Sequence, residues 1–146
     1  MSRIATSRPF TIAGLDHVNV IVNGMEDAIR FYEGVLGCSV EARLPEYGMA
    51  SLRAGTNEID LVDISVKQGA WAKPAVLGGA NVDHFALAIH ALDETALREF
   101  LAAHDIRIVE ERAEDDDNGG SLSLYVLDPS GNKVELLLRR GGVSAR

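Results

Sequence analysis

Cysteine is almost absent from this chain: of 146 residues only Cys38 carries a thiol. An internal disulfide and a cysteine-rich zinc module are therefore excluded, and a reducing, cytoplasmic setting is the expectation. No apolar run approaches the roughly 20 residues needed to span a bilayer. The first residues, Met1-Ser2-Arg3-Ile4-Ala5-Thr6-Ser7-Arg8-Pro9, contain no continuous apolar stretch of the kind a secretory signal requires. Positive charge is also short, with 14 Lys and Arg against 22 Asp and Glu and a formal net charge of −8. Such a balance argues against a nucleic-acid backbone or an anionic membrane surface as partner, because both need clustered cations. A glycine loop of the P-loop or dinucleotide type is missing too, which argues against nucleotide cofactors. Cys38 follows Gly37 and precedes a strand-like run, so it reads as a buried structural thiol rather than a nucleophile.

What remains is a globular composition, 47% apolar and 25% charged, with one feature that stands above the rest: the chain repeats itself. Gly14-Leu15-Asp16-His17-Val18-Asn19-Val20 is echoed by Asn81-Val82-Asp83-His84-Phe85-Ala86-Leu87. Ala28-Ile29-Arg30 is echoed by Ala96-Leu97-Arg98, and Asn57-Glu58-Ile59-Asp60-Leu61 by Asn132-Lys133-Val134-Glu135-Leu136. The spacing between the copies widens along the chain, and the acidic stretch Glu114-Asp115-Asp116-Asp117-Asn118-Gly119-Gly120 is the natural place for the extra residues. Two long copies do not make a solenoid; they indicate a duplicated α+β module.

Each copy reads as β-α-β-β-β. In the first, residues 15–22 alternate as a strand. Residues 26–36 carry Ala28, Ile29, Tyr32, Val35 and Leu36 at helical spacing, and Gly37 stops them. Strands are expected at 38–44, 48–54 and 58–64. In the second copy the expectation is a strand at 83–90, a helix at 94–103 capped by Asp93, and strands at 105–112, 121–127 and 133–139. Asp128-Pro129-Ser130-Gly131 is a turn. The expected organisation is thus a single domain over 13–140, with modules 13–64 and 81–140, a linker at 65–80, and loose ends at 1–12 and 141–146.

Alternation then places side chains on faces. Val18, Val20 and Val22 share one face of the first strand, and His17, Asn19 and Ile21 the other. Phe85, Leu87 and Ile89 oppose His84, Ala86, Ala88 and His90. Ile59 and Leu61 oppose Asp60; Val134, Leu136 and Leu138 oppose Glu135. If the larger apolar sets pack against the helices, His17, Asp60, His84 and Glu135 all lie on the far side. Taken singly, each reads as an ordinary strand histidine or a solvated strand charge. Together they occupy equivalent places in two copies, and two imidazoles with two carboxylates make a reasonable donor set for one divalent ion: Zn, Ni, Fe(II), Mn or Co. His90 has no counterpart and reads as pocket lining or surface, and His104 as a cap at a helix end. Arg43 and Arg53 are open to two readings, contacts for an anionic substrate or surface strand residues. Tyr47, Met49 and Trp71 are candidates for a pocket mouth. The run Glu114–Asp117 is either a lid or a solvated turn.

Four stretches together resemble the vicinal oxygen chelate superfamily, which holds glyoxalase I, extradiol dioxygenases and bleomycin-binding proteins. They are Leu15-Asp16-His17-Val18, Ala28-Ile29-Arg30-Phe31-Tyr32-Glu33-Gly34-Val35-Leu36-Gly37, Val82-Asp83-His84-Phe85 and Asp128-Pro129-Ser130-Gly131-Asn132-Lys133-Val134-Glu135-Leu136. The resemblance implies a pair of βαβββ modules whose curved mixed sheets surround a shared cleft. It implies His17, His84 and Glu135 as metal ligands, with Asp60 in a place where the family usually has Glu, Gln or His. It implies a small substrate chelated through adjacent oxygens, with Glu135 as first and Asp60 as second candidate base, and a homodimer. Lyase or isomerase chemistry is slightly favoured over ring-cleaving dioxygenation. The alternative is a metal-free small-molecule binding protein of the bleomycin-resistance type.

Overall fold

The computed structural model describes residues 13, 15–72, 82–90, 93–115, 117 and 119–139. The first module runs β1 (His17–Val22), α1 (Met25–Ile29), β2 (Ser39–Leu44), β3 (Met49–Ala54) and β4 (Asn57–Asp63). The second runs β5 (His84–Ile89), α2 (Glu94–Ala103), β6 (Ile108–Glu114), β7 (Ser121–Leu127) and β8 (Lys133–Arg139). Each forms one open four-stranded mixed sheet, in the orders β1-β4-β3-β2 and β5-β8-β7-β6. The β1–β4 and β5–β8 pairs are parallel and the others antiparallel. This is the duplicated βαβββ architecture expected from the repeat.

Turn chemistry sets the element ends. Gly48 and Gly55, which close the β2–β3 and β3–β4 turns, adopt φ of 65° and 62°, a region that disfavours any side chain. Asp93 caps α2 by accepting from the Thr95 amide at 2.9 Å. His104 ends the same helix, its Nδ1 lying 2.9 Å from the Phe100 carbonyl. One departure concerns the first helix: after a single α-helical turn or so it widens into a π-helical segment, Arg30–Val35. Apolar spacing cannot distinguish the two, since both bury Phe31 and Tyr32.

The faces follow the alternation. Val20, Val22, Ile59 and Leu61 lie in one core with Ala28, Ile29, Phe31 and Tyr32, and the same core takes in Leu101, Leu122, Leu124, Val134 and Leu136 from the second module. Cys38 belongs to it, and burial pushes its thiol up, away from reactivity. Among the described residues three polar contacts also tie the modules, all at the Asp128–Asn132 turn. The Tyr32 hydroxyl donates to Asp128 at 2.9 Å, the Asn132 side-chain amide donates to the Ile21 carbonyl at 2.9 Å, and the Asn23 amide donates to Ser130 Oγ at 2.8 Å. Burial, with the Asp128 carboxylate beside it, pushes the Tyr32 hydroxyl far above its ordinary range.

Residues 65–72, expected to open the linker, instead fold back on the first module through a short 3₁₀ turn, Lys67–Gly69. Gly69 is buried, and the Trp71 indole donates to the Tyr47 carbonyl at 2.8 Å. The rest of the expected linker, with Lys73-Pro74, lies outside the described residues, as do the terminal segments 1–12 and 141–146. Among the described residues no helix is long and apolar enough to cross a membrane.

Candidate functional site

β1 and β4 run in parallel with Asn19 beside Asp60, so His17 lies two residues before the position level with Asp60. Strand β5 stands to β8 in the same way: Ala86 is beside Glu135, and His84 is two residues earlier. Identical registers in the two modules therefore generate identical pairs. His17 Nε2 is 3.8 Å from Asp60 Oδ2, and His84 Nε2 is 3.9 Å from Glu135 Oε2. Both separations are too long for a hydrogen bond. Two donors each about 2.1 Å from a common divalent ion stand roughly 3–4 Å apart, so either pair fits part of a coordination shell.

The supporting residues repeat as well. His17 Nδ1 is 2.8 Å from Asp16 Oδ2, and His84 Nδ1 is 2.7 Å from Asp83 Oδ2. A carboxylate accepts only, so each Nδ1 carries the hydrogen, and each Nε2 is directed at the partner carboxylate, its lone pair the one a metal ion would use. This orientation by an outer carboxylate is the arrangement that metal-binding histidines use. The Asp16 hydrogen bond, with the charge of Asp60 second, raises the His17 pKa. His84 and then Lys133 hold Asp83 below the usual carboxylate range.

The two carboxylates differ in what else touches them. Among the described residues Asp60 Oδ1 is buried and has no hydrogen-bond partner, an orphan of the kind that a bound ion satisfies. Glu135 Oε1 accepts from the Tyr125 hydroxyl at 2.7 Å, a bond that, ahead of burial, raises the Tyr125 pKa. The Tyr125 ring also meets His84 edge-to-face at 5.2 Å. Sequence reading missed Tyr125. Strand β7 is buried on both faces, with a burial pattern that shows no alternation, so no period marks the tyrosine. The signal was the turn: counting outward from Asp128-Pro129-Ser130-Gly131-Asn132 pairs Leu127 with Lys133, and hence Tyr125 with Glu135. Across from Asp60 the corresponding residue is Ser51.

Each His–carboxylate pair is thus brought together, and the two pairs stay on separate sheets. Among the described residues, no three His, Cys, Asp or Glu side chains are placed to hold one ion. The other candidates fall as follows. His90 is exposed just beyond β5. Arg43 pairs with Glu26 at 2.7 Å, and Arg53 with Glu41 and Glu58 at 3.0 and 2.8 Å. Tyr47 and Trp71 are both exposed. Glu114 ends β6 in an ion pair with Arg112, whereas Asp116 and Asn118 lie outside the described residues.

Comparison with known proteins agrees with this architecture. Among solved structures, a lactoylglutathione lyase from Agrobacterium tumefaciens superposes with a TM-score of 0.60 at 21% identity, covering 90% of this chain and 96% of that one. A glyoxalase family protein from Bacillus anthracis gives 0.62 at 22%, covering 91% and 100%. A virulence protein from Salmonella typhimurium gives 0.62 at 24%, covering 88% and 98%. At these identities the likeness is one of fold. A search among curated proteins finds no significant match. The model of one family does match, over residues 14–136, and that span is most of the chain: the protein belongs to the glyoxalase/bleomycin resistance protein/dioxygenase superfamily.

Proposed function

We propose that this protein is a divalent-metal-dependent enzyme acting on a small substrate that presents two adjacent oxygens, and that a second copy of the chain completes its site. The observation that carries the reading is the equivalence of the two pairs. Both modules present one oriented imidazole Nε2 and one carboxylate at matching register. A divalent ion held by His17, Asp60, His84 and Glu135 would supply Lewis acidity, stabilising negative charge as it develops on the chelated oxygens.

The chain's own residues then divide the remaining tasks. Asp16 and Asp83 orient the two imidazoles. Glu135 and Asp60 are the groups that can take a proton from substrate carbon, which suits lyase or isomerase chemistry over ring cleavage. Tyr125 steadies Glu135 through its Oε1. The metal and the homodimer are both parts of this proposal. A metal-free binding module is the second reading, and the observation in its favour is that one protomer keeps its two pairs on separate sheets.

Metal analysis combined with mixing decides between them. Wild-type protein should carry stoichiometric metal, and His17→Ala and His84→Ala should each lose it. Refolding the two variants together should restore about a quarter of the wild-type metal, because half the dimers are mixed and each mixed dimer contains one intact site. No recovery would place the four ligands within one chain. No metal in the wild type would leave the binding module standing. A second expectation concerns Tyr125→Phe. It should weaken metal binding about 10–100-fold in competition with a chromophoric chelator, while costing only about 1 kcal/mol in urea unfolding. Unchanged metal affinity would remove Tyr125 from the site.

A further inference from the structure

A cavity of about 340 Å³ lies where the β2–β3 turn, the 3₁₀ turn after β4 and the start of α1 meet. None of its lining residues belongs to either His–carboxylate pair, so it can be tested independently of the metal reading. Met25, Pro45, Met49 and Val66 supply apolar wall, and Arg43 and Gln68 supply polar groups. Its size falls within the range of small-molecule pockets, and a mostly apolar lining with a few placed polar groups is their usual character. Two methionines give the wall some freedom to adapt to a ligand.

The frame around the cavity is built. The Asp63 amide donates to the Gly48 carbonyl at 2.8 Å, and the Trp71 indole donates to the Tyr47 carbonyl at 2.8 Å. The β2–β3 turn is therefore held at two points, to the end of β4 and to Trp71 just after the 3₁₀ turn. Asp63, which also lines the cavity, is fully engaged. Its carboxylate accepts from the amides of Gly24, Met25 and Ser65 and from the Ser65 hydroxyl. Burial alone would raise its pKa, but these bonds outweigh it and hold the group below the ordinary carboxylate range. Its acceptor sites are taken up by the protein. Arg43 is different. Among the described residues its partner is Glu26, reached through one nitrogen, Nη1. The guanidinium has five N–H donors in a fork suited to a carboxylate.

We propose that this cavity is a ligand site for a small apolar carboxylic acid, with the carboxylate on Arg43 and the hydrocarbon part against Met25, Met49 and Val66.

Octanoate, octan-1-ol and octylammonium serve as probes, titrated calorimetrically into the full chain in the presence of EDTA so that no carboxylate binds through metal. Octanoate should bind at one saturable site, at least about tenfold tighter than either of the others. Arg43→Gln should weaken octanoate about tenfold and leave octan-1-ol unchanged. Val66→Trp, at a position already 39% exposed, should fill the cavity and abolish binding. His17→Ala should change nothing. Equal affinity for the three probes would overturn the proposal, as would octanoate binding that Arg43→Gln leaves intact. The remaining overturning result is no heat with octanoate together with Trp71 emission that shifts on protein dilution, since a second copy of the chain would then cover this surface.

Discussion

Asp128→Ala should lower the stability of this protein by about 3–5 kcal/mol in urea unfolding, the range for leaving buried partners of a charged group unsatisfied. Asp128 is 4% exposed. Its Oδ1 accepts from the Ser130 and Asn132 amides at 2.9 and 2.8 Å. Its Oδ2 accepts from Tyr32 in the first module and from the Asn132 side chain. Asn132 in turn reaches the Ile21 carbonyl. One carboxylate therefore shapes a turn of the second module and holds it against the first helix and first strand. Tyr32→Phe removes one of those bonds and should cost only about 1 kcal/mol. A double-mutant cycle should then show that the tyrosine contributes almost nothing once Asp128 is gone. If Asp128→Ala unfolds within about 1 kcal/mol of wild type, the turn is not what joins the modules.

The second large effect is expected at Gly69. A methyl group there would overlap the Asp63 carbonyl, an obstacle of main chain that cannot rotate away. Gly69→Ala should destabilise by about 3 kcal/mol or more, lowering Tm by about 10 °C at this chain length. Gly55→Ala makes the informative comparison. Unlike Gly69 it has a left-handed φ, but a methyl there meets nothing within 4 Å, so its cost should be near 1 kcal/mol. Equal losses for the two variants would mean that the close approach of residues 63, 48 and 69 is not a determinant of the fold.

Gly69 also marks where the sequence stopped being readable. Residues 65–80 are rich in glycine and look like a tether. In the first eight of them, glycine instead permits a main-chain contact between segments that are distant in sequence, and composition carries no trace of that. The strands were legible because polar and apolar side chains alternate between Gly and Pro breaks. The same alternation placed His17, Asp60, His84 and Glu135 on the faces away from the cores. The π-helical widening after Ile29 was invisible, since Tyr32 is buried by either helical period. Whether faces of two sheets meet in one molecule is a question of long-range placement, and no local period encodes it.

No strand ladder passes from one module to the other among the described residues; every pairing closes within its own sheet. Among the described residues, moving a module from its own chain onto a neighbouring molecule would therefore break the packing and the polar contacts at the Asp128–Asn132 turn, and the neighbour's equivalent surfaces would restore them. Exchange of halves between chains is thus nearly free of enthalpic penalty. What would oppose it is the entropy of tying two molecules together, so protein concentration would govern such an exchange.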